Sequence, residues 1–330
     1  MAPLFFMLSF FLSIASADPD IAREYRPFFI LYKDGHVKRL MGNDFVPASL
    51  DPKTNVKSKD IVYSPQYNLS CRIYFSDSNN TIKQKLPLLV YFHGGGFISF
   101  NPFSDKYHEY LNTLVSEGKI IAVSVQYRRA PENPIPGAFE DSWTALEWIA
   151  SHTKGKGPED LLNTYADFQK VILSGDSAGA TIAHRMGIRQ SQEKLDGFNI
   201  DGISLHFPYF WGTKPVAGET TKGPERAGVD DLWRIASPNT TGSDDPLINP
   251  VTDPKFSSLE CSRVLVIVAE IDILKARGYY YIEKLKESGW KGKAEILEFK
   301  GEDHAFNIRN STSENSVKML RRAVSFINGT

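Results

Sequence analysis

Only two cysteines, Cys71 and Cys261, occur in the 330 residues, too few for a disulfide framework. Neither falls in a Cys-x-x-Cys pair or a Cys/His cluster, which argues against a zinc site. Both read as small, buried apolar side chains. Charge of one sign is also missing: 38 basic residues stand against 39 acidic ones. Such a balance offers no basic field for nucleic acid and no single-sign tail. Internal repeats and low-complexity tracts are absent. The apolar stretch Leu4 to Ile14 falls short of the ~20 residues that a membrane-spanning helix needs, so no stable membrane anchor is expected.

That stretch has a second reading. Ala15-Ser16-Ala17 follows it with the small-x-small form of a signal-peptidase site, although no positively charged segment precedes it. Sequons begin at Asn68, Asn79, Asn239, Asn310 and Asn328. Residues 1–17 are therefore expected to be a signal peptide, with a mature chain from near Asp18 entering the secretory pathway (ER, vacuole or outside the cell). The alternative is an apolar arm packed on a cytoplasmic protein.

What is present in quantity is apolar side chain, 42% of the residues with 12% aromatic, ample for a core. Short runs rich in β-branched and aromatic residues read as strands: 69–75, 88–92, 120–125, 171–173, 203–206, 264–269 and 294–299. Helical patterns fill gaps at 107–116, 139–151, 177–188, 278–288 and 313–327. Alternation of this kind predicts an α/β fold with a mainly parallel sheet buried on both faces. Two regions interrupt it, residues 18–59 and 208–249. Ligands bind beyond the carboxyl ends of such strands, so both are expected to cap a single domain of residues 18–330.

Two short segments carry the chemistry. Gly175-Asp176-Ser177-Ala178-Gly179 fits the G-x-S-x-G elbow, a strand-to-helix turn that presents a serine oxygen. His93-Gly94-Gly95-Gly96-Phe97 fits the glycine loop that supplies backbone N–H groups to an oxyanion hole. Each follows an apolar strand, and together they point to acyl-ester chemistry. A serine hydroxyl needs a base, and the base an orienting carboxylate. Three histidines follow Ser177. His184 sits on the helix after the elbow and points away; His206 ends a strand and is read as a pocket residue. His304 lies on a polar loop beyond a late strand, where the base is expected. The strand 264–269 leads into Glu270-Ile271-Asp272. Alternating faces favour Asp272 as the acid over Glu270, one register step away; Asp303 would have to fold back on its neighbour. Oxyanion donors are expected from the N–H groups of Gly94, Gly95 and Ala178, and the start of the helix favours charge developing on Ser177. Aromatic residues Phe97, Tyr209, Trp211 and Trp233 are read as candidate walls of the substrate pocket.

With these segments in view, the chain resembles the plant carboxylesterases of the hormone-sensitive-lipase type, from about Pro27 to the C-terminus. Further similar segments are Tyr32 to Arg39, Tyr127 to Glu132, Pro136 to Asp141, Cys261 to Val264 and Gly301 to His304. The resemblance implies an α/β-hydrolase fold with a cap, no metal or organic cofactor, and a triad of Ser177, His304 and Asp272. Arg129 and Ala276 depart from the family's usual residues without touching that triad. The isoflavonoid dehydratases of this family carry threonine at the nucleophile position, and the gibberellin receptors lose the histidine. A serine esterase acting on small plant esters is thus expected; a lyase or cyclase on an alkaloid-like or isoflavonoid substrate, methyl-ester hydrolysis leading to decarboxylation, and a non-catalytic receptor are the alternatives.

Overall fold

The computed structural model describes residues 20–76 and 84–330. The expected signal peptide and the Asn79 sequon lie outside the described residues. Of the first segment read as part of a cap, residues 21–39 form a small antiparallel sheet of β1 (Ile21–Tyr25), β2 (Phe29–Tyr32) and β3 (Val37–Arg39), whereas residues 56–59 already belong to a strand of the main sheet. Phe29 anchors it, fully buried in the main core.

The apolar runs form one sheet of eight strands: β4 (Val56–Ser64), β5 (Leu69–Ser76), β6 (Leu86–Phe92), β7 (Ile121–Val125), β8 (Ala166–Asp176), β9 (Ile200–His206), β10 (Arg263–Ala269) and β11 (Lys293–Phe299). Their order is β11-β10-β9-β8-β6-β7-β5-β4. From β11 to β7 every pairing is parallel; β5 and β4 close the far edge antiparallel. Helices cover both faces: α1 (Asp105–Gly118), α2 (Gly137–Ala150), α3 (Asp160–Tyr165), α4 (Ala178–Gln192), α5 (Pro224–Ala236), α6 (Lys275–Glu287), α7 (Phe306–Arg309) and α8 (Glu314–Asn328).

Alternation along the strands sorts side chains into two cores. Leu88, Val90 and Phe92 of β6 share one with Leu146 of α2 and Met186 of α4. Leu89 and Tyr91 point the other way, into a core with Leu114 of α1 and Met319 of α8. Helix α8 is closed at both ends, the Ser313 side chain accepting from the Ser316 N–H and Gly329 taking φ 72°. Among the described residues no helix is long and apolar enough to cross a membrane.

The second interrupting segment, residues 208–249, contains α5 and is fastened by a buried ion cluster. The Glu219 carboxylate, with no exposed side-chain surface, accepts from Arg226 at 2.7 Å and from Arg277 of α6 at 2.9 Å. Both guanidiniums stack on Trp211, 4.7 and 5.6 Å from its ring centre. Arg226 and Arg277 also donate to the Gly212 carbonyl. The cluster gives each buried charge a partner and fixes α5 relative to α6.

Candidate active site

Strand β8 ends at Asp176 and α4 begins at Ala178, leaving Ser177 as the whole connection. Its φ of 53° with ψ −120° is a conformation that a non-glycine residue holds only when its surroundings demand it. Two hydrogen bonds impose it: Ser177 N–H donates to the His206 carbonyl at 2.8 Å, and Tyr209 N–H donates to the Ser177 carbonyl at 3.1 Å. The flanking glycines are dictated by space. A Cβ on Gly179 would lie 2.0 Å from the Phe92 oxygen, and one on Gly175 2.4 Å from the Gly179 carbonyl carbon. Only glycine permits this approach of α4 to β6.

His304 stands on the loop between β11 and α7, Asp272 on the loop between β10 and α6. His304 Nδ1 lies 2.8 Å from Asp272 Oδ2, and Asp272 Oδ1 accepts from Leu274 N–H at 2.9 Å. Burial would lower the His304 pKa, but the Asp272 carboxylate outweighs it, with smaller help from Asp176 and Asp303, so the imidazole is raised above its usual value. Glu270 points elsewhere: its carboxylate accepts from Gly301 N–H at 2.8 Å and from Lys300. Asp303 accepts from the His304 N–H, and Arg309 donates to the His304 carbonyl at 2.7 Å.

The glycine loop corrects one expectation. The Gly94 N–H does not face the cavity; it is turned back onto Tyr107 Oη at 2.9 Å and Asp176 Oδ1 at 3.1 Å. Gly95 (φ 101°) and Gly96 (φ 62°) reverse the chain and line the cavity with Ser177 and His304. Among the described residues the N–H groups of Gly95 and Gly96 have no protein acceptor, and Ala178 opens a helix whose first N–H groups have none within it. Outlying motif residues brace this loop. Tyr127 stacks on His93 at 4.2 Å and donates to its carbonyl. Arg39 pairs with Glu132 and donates to the Ile98 and Ala130 carbonyls.

The cavity above Ser177 measures about 590 Å³ and has mostly apolar walls, among them Phe28, Met41, Val229, Leu232, Ile273 and Leu274. Of the four aromatic residues expected there, Tyr209 lines it, its hydroxyl held by the Val229 carbonyl at 2.7 Å. Phe97, Trp211 and Trp233 do not. They are fully buried behind the wall, Phe97 edge-on to Trp233 and Trp211 between its two arginines. His206 is likewise no pocket residue: it is buried against Ser204, and desolvation pushes its pKa down to about 3. His184 is buried on Tyr281. Tyr107, Asp176 and Leu232 line the cavity without having been expected there. Asp176 was within reach as the variable residue of the elbow motif, and Leu232 as part of the amphipathic run of α5. Among the described residues no three His, Cys, Asp or Glu side chains gather to hold a metal.

Known proteins share this arrangement of chain. Residues 89–308 match a family described by its alpha/beta hydrolase fold. Probable carboxylesterase 5 of Arabidopsis thaliana is 46% identical over 318 residues, covering 94% of this chain and 100% of its own. The 2-hydroxyisoflavanone dehydratase of Glycyrrhiza echinata is 42% identical over 317 residues, covering 93% of this chain and 96% of its own. Among solved structures, a hyperthermophilic esterase from Pyrobaculum calidifontis superposes with a TM-score of 0.68 at 24% identity, covering 83% of this chain and 85% of that one.

Proposed function

This chain belongs to the alpha/beta hydrolase family and is a carboxylic ester hydrolase, and from that premise we propose that Ser177, His304 and Asp272 perform the hydrolysis. The observation that carries the proposal is the His304–Asp272 pair, 2.8 Å apart with Asp272 buried, sharing one cavity with a serine on a strained turn. With Nδ1–H donated to Asp272, the His304 Nε2 is left as the base. Ser177 Oγ attacks the ester carbonyl carbon as His304 takes its proton. The oxyanion is held by the N–H groups of Gly95, Gly96 and Ala178, each worth ~2.7–4 kcal/mol to the barrier. The bond to the alcohol oxygen then breaks, His304 returns the proton to it, and water repeats the steps on the acyl-enzyme.

The walls suit a compact, largely apolar ester of a small plant metabolite. The dehydratase relative supports a lyase as the alternative, and the serine at position 177 weighs against it. The secretory reading draws support from Asn68, Asn239, Asn310 and Asn328, all exposed; removal of N-glycans with a mobility shift of the plant-expressed protein tests it. The triad is tested by intact mass after treatment with a fluorophosphonate. One adduct is expected, absent in Ser177→Ala and in His304→Ala; labelling that persists in Ser177→Ala refutes the assignment.

A further inference from the structure

Asp176 has no part in the steps above, yet it is among the most constrained side chains near them. It is 2% exposed and sits one residue before the nucleophile. Burial raises its pKa, a cost that its hydrogen bonds and the nearby His304 offset only in part. Three donors meet its carboxylate: Tyr91 Oη on Oδ1 at 2.9 Å, Tyr107 Oη on Oδ2 at 2.9 Å, and the Gly94 N–H on Oδ1 at 3.1 Å. The same Gly94 N–H also reaches Tyr107 Oη. The fit leaves no slack, since a Cβ on Gly94 would come 2.3 Å from Asp176 Oδ2.

These contacts join two loops that must be registered for oxyanion binding. One is the elbow, which carries Ser177 and the Ala178 N–H. The other is the glycine loop, whose first amide is drawn onto Asp176 while the next two, in residues that line the cavity, have no protein acceptor among the described residues. Planar peptides join these amides, so anchoring the Gly94 N–H restricts the directions open to those of Gly95 and Gly96. We propose that Asp176 is a positioning residue for the oxyanion hole: its carboxylate clamps Gly94 and Tyr107 to the elbow and so aims the Gly95 and Gly96 amides at the substrate oxygen. Tyr107 is the second jaw, holding the carboxylate and the amide together; Tyr91 holds the carboxylate alone.

This inference rests on the serine-esterase reading, and the test separates the two. Kinetics on one activated ester, together with affinity for a boronic acid that mimics the tetrahedral state, are measured for wild type, Asp176→Asn, Tyr107→Phe and Tyr91→Phe. In Asp176→Asn an amide nitrogen replaces one acceptor, so kcat is expected to fall ~10²–10³-fold, the size of one lost oxyanion donor. Boronate affinity should fall in parallel while KM changes little. Tyr107→Phe should lose more kcat and more boronate affinity than Tyr91→Phe, although both remove one hydroxyl from the same carboxylate. If Asp176→Asn does not fold, the tyrosine pair decides alone. Equal losses in the two tyrosine variants, or losses that track only their melting temperatures, overturn the proposal. A wild-type protein that turns over no ester and takes up no boronate refutes the esterase reading instead.

Discussion

Replacing Asp272 by asparagine gives the sharpest test of the triad, because the site dictates how the amide must sit. Asp272 Oδ1 accepts from Leu274 N–H at 2.9 Å, and its Oδ2 meets His304 Nδ1 at 2.8 Å, with 1% of the side chain exposed. In Asp272→Asn the amide oxygen must keep the bond to Leu274, since turning the amide would set its NH₂ group against that buried N–H, donor against donor. The NH₂ group then faces Nδ1, donor against donor. His304 can relieve this only by moving its proton to Nε2, and that tautomer cannot accept the Ser177 proton. The cost expected is ~10⁴ in kcat, about 5.5 kcal/mol at 1.36 kcal/mol per decade. The pH profile gives an independent sign. His304 must be neutral to act, and Asp272 is the largest influence raising its pKa. Wild-type kcat/KM therefore falls as pH drops through a midpoint above the ordinary histidine value. Without the carboxylate, the residual activity of the variant should persist to lower pH. Steady-state hydrolysis of a p-nitrophenyl ester from mildly acidic to mildly alkaline pH reads both effects. A loss of less than ~10-fold, or an acid limb that stays put or moves up, would refute the reasoning.

Three further outcomes are expected. Gly96→Ala places a Cβ 2.8 Å from Leu232 Cδ2 at φ 62°, so kcat should drop at least ~10-fold; Leu232→Ala should restore part of it, a coupling that double-mutant kinetics would measure. Glu219→Gln leaves two largely buried guanidiniums short of charge, costing about 3–5 kcal/mol. At ~2.1 cal/mol/K per residue over 330 residues this lowers Tm by about 4–7 °C, and a thermal melt shifted by less than ~1 °C would count against the cluster's role. Trp233→Ala, fully buried behind the cavity wall, should cost about 3–5 kcal/mol of stability by denaturant titration; a large change in KM with stability intact would put Trp233 back in the pocket.

The elements legible in the sequence are those whose physics is local. β7 is buried on both faces, and its Ile121–Val125 run contains no charge. β8 is visible only at Val171 to Leu173, because Gln169 and Lys170 are exposed on its outer half. β4 passes unnoticed as an edge strand whose Lys57 to Asp60 are polar and partly solvent-facing. Helix α5 hides behind the glycines and prolines around it, although Val229, Leu232 and Trp233 share one buried face. In the site, Ser177, His304 and Asp272 follow from motif and order. The direction of the Gly94 N–H does not, since it depends on a carboxylate reached only after the chain has folded. Nor does the place of Trp211, which is decided by two arginines from separate segments.

The cavity's floor and its roof have different origins. Ser177, His304 and Asp272 hang from the ends of the large sheet, whereas Phe28 and Met41 come from the small N-terminal sheet and its exit, and Val229 and Leu232 from α5. Neither roof segment belongs to the eight-stranded sheet. Mutations at Phe28 and Met41 can reshape what is admitted while the residues that cleave keep their own supports, so substrate range and reaction are partly separable traits in this architecture. Such a division lets a lineage of duplicated chains explore new metabolites while each copy keeps a working hydrolytic engine.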